Sequence, residues 1–250
     1  MPRFFVKTEQ ISNGNVTVTG DDAFHISRSL RMAVGEHITV CDTNGMEYDC
    51  VLEAFSESVT ARIVSEKPTN AEPPFFATIW QALPKGDKLD SIIQKSVECG
   101  ASEIRIFESK HCIAKAEPKS ESKKAERRKR IANEAAKQCG RGILPEVFPT
   151  VKFDQMLEEA AKADIPIFCY EGETAQRLGA VIKKRCAELH NAIKPTISIV
   201  IGPEGGFSPE EAELARSRGM LITGLGNRIL RTETVASFVL GALVYDFELG

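Results

Sequence analysis

Between residues 3 and 65 apolar and polar positions alternate with the two-residue period of a half-buried strand. The clearest pieces are Val16-Thr17-Val18, Ile38-Thr39-Val40 and Val59-Thr60-Ala61-Arg62-Ile63-Val64. Asn13-Gly14 and Asn44-Gly45 sit between apolar stretches and have the chemistry of tight hairpin turns. One helix is expected to interrupt the strands from Asp21 to Met32, capped by Asp21 or Asp22, with Phe24, Ile26 and Leu30 as its apolar positions. The pattern predicts a small β-barrel.

Glu66-Lys67-Pro68-Thr69-Asn70-Ala71-Glu72-Pro73-Pro74 has no period and three prolines, the composition of a semi-rigid linker. A domain boundary is expected there, giving domains 1–72 and 73–250. Beyond it the period switches repeatedly. Strands are predicted at Thr78–Leu83, Glu103–Phe107, Pro166–Tyr170, Thr196–Ile201 and Leu221–Leu225. Helices are predicted at Asp87–Cys99, Ser120–Cys139 (ended by Gly140), Phe153–Ala163, Thr174–His190, Pro209–Arg218 and Glu233–Phe247. Strands alternating with helices imply an α/β domain with a parallel sheet covered on both faces. The last helix is apolar nearly all round, so it is expected to be buried on every side, with a second subunit as a natural cover.

With 250 residues, 42% of them hydrophobic, the chain can build one large core or two smaller ones. Net charge is only −3, so any nucleic-acid role must rest on local distribution. Residues 1–74 balance at −5, whereas residues 105–141 balance at +7. A solvated helix face is the plainer explanation of that run. The seven cysteines are scattered, without a C-x-x-C pair or zinc spacing, and read as small buried side chains in a reducing compartment; no metal is expected. The N-terminus lacks a signal-peptide core and the longest apolar run, Val235 to Tyr245, is too short to span a bilayer, so a cytoplasmic protein is expected.

Candidate chemistry concentrates near the C-terminus. The apolar strand Ile199-Val200-Ile201 runs into Gly202-Pro203-Glu204-Gly205-Gly206-Phe207-Ser208, and a second turn follows at Gly224-Leu225-Gly226-Asn227-Arg228-Ile229-Leu230-Arg231-Thr232-Glu233-Thr234. The order strand, glycines, helix is that of a phosphate-binding turn. Its chemistry is not: Pro203 has no N–H to give, and Glu204 places a negative charge where a phosphate needs donors. The loops suit a ligand without phosphates that approaches backbone closely. Two such turns at the carboxyl ends of strands predict a cofactor cleft.

The two motifs, in this order and spacing, closely resemble the RsmE family of SPOUT-class RNA methyltransferases, and fainter resemblance covers the rest of the chain. The resemblance implies a PUA-like RNA-binding barrel followed by a SPOUT-type α/β domain with a C-terminal trefoil knot, dimeric across the knot. It implies methyl transfer from S-adenosylmethionine to N3 of a uridine in 16S ribosomal RNA, within the small ribosomal subunit. Implied cofactor contacts fall on Ile201, Gly202, Pro203, Glu204, Gly205 and Gly206, on Leu225, Gly226, Arg228, Ile229, Leu230 and Thr234, and on Tyr170 or Glu171.

N3 of uracil is a weak acid, so a carboxylate is needed to take its proton and a cation to stabilise the anion. Arg231 is the candidate for orienting the base or stabilising its charge, and Glu233 and Glu204 are candidates for the acceptor. Glu233 reads equally as ordinary helix capping, and Glu204 equally as a loop anchor. By resemblance, RNA contacts are expected from Arg3, His25, Arg28 and Arg31 in the first domain, and from Lys85, Lys88, Gln138 and Arg141 in the second; Arg127, Arg128 and Arg130 could track the backbone. The chain departs from the family pattern at Glu108-Ser109-Lys110-His111-Cys112 and at Cys139. The rival readings are a SPOUT enzyme for another RNA nucleotide and a noncatalytic ribosome-assembly factor.

Overall fold

The structure, a computed structural model, describes all residues except 117, 174, 175, 190–193 and 250, and only the backbone of 118–120. It divides into two compact units, one of residues 1–72 with 136–144 and the other of 73–135 with 145–250.

The first unit carries strands β1 (Arg3–Phe5), β2 (Ile11–Ser12), β3 (Asn15–Val18), β4 (His37–Cys41), β5 (Met46–Phe55) and β6 (Val59–Pro68). They form one sheet in the order β1-β4-β5-β6-β3-β2, with β1 parallel to β4 and the other pairs antiparallel. Asn13 and Gly14 have φ of 50° and 76°, the two left-handed residues that a two-residue hairpin loop between right-twisted strands requires. Alternate residues of β3 and the apolar positions of its neighbours face one core, where Phe4, Ile26, Ile38 and Leu52 are fully buried. Each contributes about 1.5–3 kcal/mol through apolar burial.

The helix expected at Asp21–Met32 is shorter. Helix α1 covers Gly20–Phe24 and loosens into a π-helical turn at His25–Ser29. Thr19, not an aspartate, occupies the N-cap, and its side chain makes no capping bond. Asp22 is engaged elsewhere: its carboxylate accepts from Lys137 Nζ at 2.7 Å. The returning segment 136–144 also supplies Arg141, whose guanidinium makes a buried pair with Glu72 at 2.6 Å.

The second unit carries β7 (Phe76–Ala82), α2 (Lys88–Glu98), β8 (Glu103–Glu108), α3 (Pro118–Cys139), β9 (Glu146–Lys152), α4 (Phe153–Ala160) and β10 (Ile165–Cys169). It continues with α5 (Leu178–Glu188), β11 (Thr196–Ile201), α6 (Pro209–Ser217), β12 (Leu221–Thr223) and α7 (Thr232–Val244). The final residues of α3, from Ala136, count with the first unit. The expected ends of α5, Thr174 and His190, lie outside the described residues.

All six strands are parallel, in the order β12-β10-β11-β7-β8-β9. The central strands are continuous apolar runs, as burial on both faces demands; in β11 every residue after Thr196 is buried. β9 has no counterpart in the sequence reading. It is an edge strand containing Pro149, a residue that breaks the local signal yet is tolerated where one side lacks a ladder partner. From β7 the chain winds outward through β8 and β9, then returns to β10, β11 and β12 on the other side. Ligands in such sheets bind outside the strand carboxyl ends where the winding reverses.

Burial of α7 is incomplete. Val235, Ala236, Val239, Leu240 and Leu243 are buried, but Phe238 is 40% exposed and Gly241 and Tyr245 also face outward. In the single chain α2 and β11 cover one side of α7 and leave open the side for which a second subunit is the expected cover.

Candidate active site

The loop after β11 is fixed at both ends. Phe207, which follows the glycines, stacks into the core 4.2 Å from the Phe168 ring, and Ser208 and Glu211 form a reciprocal capping box that starts α6. Glu211 is shared: its Oε1 accepts from the Lys110 N–H at 2.8 Å while Oε2 accepts from Ser208 N–H at 2.9 Å. His111 Nδ1 donates to the Gly205 carbonyl at 3.0 Å. The segment Glu108–Cys112, the place where the family pattern is broken, therefore braces the glycine loop from behind.

The second turn follows β12. Gly224 packs so tightly that a Cβ there would lie 2.1 Å from the Glu173 carbonyl oxygen, and Gly224 N–H donates to the Gln176 carbonyl at 2.9 Å. The chain thus passes directly against Glu173 and Gln176, which only glycine permits. Tyr170 N–H in turn donates to Thr223 carbonyl at 3.1 Å. The two glycine turns and the segment after β10 wall a cleft of about 490 Å³.

The sequence brings most of its candidates here. Tyr170, Glu171, Ile201, Gly202, Pro203, Glu204, Gly206, Leu225, Gly226, Arg228, Ile229 and Leu230 line the cleft, as do Arg231 and Glu233. Gly205 and Thr234 do not: Gly205 faces His111, and Thr234 sits on the exposed side of α7 with its N–H bonded to Arg231 carbonyl. Lys88, Glu173 and Arg177 also line it, although nothing in their local spacing marks them as cleft residues.

Charges in the cleft are mixed. Glu204 accepts from Lys88 Nζ at 2.9 Å and from the Lys85 N–H at 3.1 Å. Burial pushes the Glu204 carboxyl up, but Lys88 and the Lys85 N–H outweigh it and hold the group below the usual carboxylate range. Glu204 is therefore a tethered anion. Cys169 also lines the cleft, and burial raises its thiol to about 12.

The apolar side chains of Ile201, Leu225 and Ile229 line the cleft beside the glycine turns, and its charged side chains are balanced, with Glu171, Glu173, Glu204 and Glu233 against Lys88, Arg177, Arg228 and Arg231. An apolar slot beside glycine backbone that a ligand can approach closely suits a nucleoside. A family model described as an RNA methyltransferase domain matches residues 71–244, and another, described as an RNA methyltransferase PUA domain, matches residues 18–64. The chain is 34% identical to the ribosomal RNA small subunit methyltransferase E of Bacillus subtilis, over all of this chain and 98% of that protein. This chain belongs to the ribosomal RNA small subunit methyltransferase E family. A methyltransferase E from Synechocystis is 30% identical over 96% of this chain and 76% of its own length. The crystal structure of the Neisseria gonorrhoeae methyltransferase E bound to S-adenosyl methionine matches at a TM-score of 0.84 with 28% identity, covering 99% of this chain and 98% of that one.

For a methyltransferase E, the placement of the expected RNA contacts needs correction at three positions. Arg128 and Arg141 are 5% and 4% exposed and paired with Glu121 and Glu72, so their charge faces carboxylates. Arg3 is held between Glu47 at 2.8 Å and Cys41 Sγ at 2.8 Å. Arg127 is exposed but paired with Asp90, and Lys88 turns to Glu204. His25, Arg28, Arg31, Lys85, Arg130 and Gln138 are exposed. Among the described residues no His, Cys, Asp or Glu group is placed to hold a metal, and no helix is long and apolar enough to cross a membrane.

Proposed function

We propose that this protein transfers a methyl group from S-adenosylmethionine to N3 of a uridine in 16S ribosomal RNA of the small subunit. The observation that carries this is the convergence of both glycine turns on one cleft with Arg231 and Glu233 in its wall. S-adenosylmethionine, when bound, supplies a methyl group on a sulfonium sulfur that departs with the electron pair of the broken C–S bond. Ile201, Leu225 and Ile229 offer the adenine an apolar slot, and the carbonyl-rich glycine turns and carboxylates do not repel its charge.

The remaining chemistry belongs to the protein. The Arg231 guanidinium stabilises negative charge spreading onto the uracil oxygens as N3 loses its proton, and a cleft carboxylate receives that proton. A methyltransferase gains most from groups already in place when charge develops, and both motifs deliver them on the ends of regular elements.

The N-terminal domain, 1–72, binds RNA through His25, Arg28 and Arg31, and the catalytic domain, 73–250, through Lys85, Arg130 and Gln138. A barrel-type closure of the first sheet belongs to the same reading. A trefoil knot is supported by the tight passage of Gly224 against Glu173 and Gln176. The exposed apolar stripe of α7 supports a homodimer, and the absence of a spanning helix among the described residues is compatible with work in the cytoplasm.

The test is methyl transfer from labelled S-adenosylmethionine to small subunits lacking the modification, with the product mapped by mass spectrometry. Label on uridine N3 supports the proposal. Label on another nucleotide, or cofactor binding without transfer, overturns it.

A further inference from the structure

Lys88 is the first residue of α2, where the partial positive charge of the helix terminus disfavours a cation. Two carboxylates hold it there. Its Nζ lies 2.9 Å from Glu204 Oε1 and 3.6 Å from Glu233 Oε2, so one ammonium bridges the two glycine-turn motifs. Among the described residues it is the only cation within ion-pair distance of either. The other charged side chains lining the cleft are Glu171, Glu173, Arg177, Arg228 and Arg231.

The two carboxylates differ in what else they touch. Both Glu204 oxygens accept from Lys85 N–H, at 3.1 and 3.3 Å, in addition to the Lys88 bond. Glu233 Oε2 is buried and makes no hydrogen bond among the described residues. Glu233 sits in the first turn of α7, where the helix terminus favours an anion. Glu204 is held by both Lys85 and Lys88, whereas the buried Glu233 Oε2 faces Lys88 at the longer distance of 3.6 Å.

We infer that Lys88 is a positioning residue for the methyl transfer: by bridging both carboxylates it fixes Glu204 as the anchor of the glycine loop and, by holding Oε2, orients the Glu233 carboxylate as the proton acceptor. This rests on the uridine-N3 assignment. The proton moves from N3 to the Glu233 carboxylate, and the electron pair it leaves on N3 becomes the new N–C bond. Glu233 then returns the proton to solvent.

The experiment pairs kinetics with a titration that needs no cofactor. Lys88→Met and Lys88→Arg are compared with the parent for kcat against pH, S-adenosylmethionine Kd and carboxyl titration of Glu204 and Glu233 by carbon-detected NMR in cofactor-free protein. Removing the cation disfavours the ionised Glu204 carboxylate, so Lys88→Met should raise its titration. Its kcat should fall about 10- to 100-fold with Kd changed less than about threefold, and Lys88→Arg should restore most of the rate. Unmoved carboxyl titrations in a folded Lys88→Met protein overturn the bridge. Should that variant not fold, Glu233→Gln and Glu204→Gln decide: the inference requires the first to abolish the acidic limb and the second to leave it, and the reverse overturns it. A parent protein that labels no uridine N3 defeats the functional assignment instead, a result the cofactor-free titration does not mimic.

Discussion

Thr232 Oγ1 donates a 2.7 Å hydrogen bond to the Gly202 carbonyl, joining the start of the last helix to the glycine loop. The same hydroxyl accepts from Gln81 Nε2 at 2.9 Å, so the end of β7 enters the same buried knot of bonds. Thr232→Val keeps the shape and removes both bonds. Cofactor affinity should weaken about tenfold, roughly 1.4 kcal/mol, by isothermal titration calorimetry. An unchanged Kd would mean the loops keep register without the hydroxyl.

Gly224→Ala would set a methyl 2.1 Å from the Glu173 carbonyl oxygen, a backbone atom that cannot rotate away. Stability should fall by about 2–3 kcal/mol in urea unfolding, within the range for overpacking. Gly219→Ala is a poor control because φ there is 88°; Gly179, with open space around it, is the better one. Equal midpoints for Gly224→Ala and Gly179→Ala would refute the close passage.

Arg231→Ala should lower single-turnover methyl transfer about 10²- to 10³-fold, the range for removing one preorganised charge stabiliser, while S-adenosylmethionine Kd stays within a few-fold. Full activity would remove Arg231 from the chemistry. Loss of cofactor binding in parallel with rate would reassign it to the cofactor pocket.

What the sequence made legible was local chemistry. The left-handed pair Asn13-Gly14 and the Gly206 turn each act within a few residues, so their spacing carries the signal. Some errors involve partners distant along the chain. Arg141 and Lys88 read as RNA contacts because their carboxylate partners, Glu72 and Glu204, lie 69 and 116 residues away. β9 escapes the periodicity because Pro149 hides an edge strand.

The outward face of α7, with Phe238, Gly241 and Tyr245, is too apolar to stand in water without a reason. Light scattering at micromolar concentration should give a dimer mass for the parent and a monomer mass for Phe238→Glu. Because Phe238 is not part of the single-chain core, the variant monomer should retain its circular dichroism spectrum. A monomeric parent would sink the dimer.

Stability should also report the Glu72 pair. Burial alone pushes this carboxyl up, but Arg141 and the N–H groups of Gly142 and Ile143 overcome it and hold it below its ordinary value of 4.5. A carboxyl more acidic in the folded than in the unfolded state stabilises above its unfolded value, and the contribution fades as pH falls through the folded one. Glu72→Ala should therefore cost about 3 kcal/mol at pH 7, and the gap to the parent should narrow below pH 4 in urea melts. A gap independent of pH would rule out the ionised pair as its source.

The return of residues 136–144 to the first unit has a consequence for how the protein is made and cut. A nascent chain that has just emerged through residue 72 already carries Asp22 and Glu72 but neither of their cationic partners, Lys137 and Arg141. Completion of the N-terminal unit must wait for the segment synthesised more than sixty residues later. A fragment ending at the proline-rich linker, or a chimaera that swaps this unit between relatives at that point, would inherit an acidic site stripped of its counter-charges.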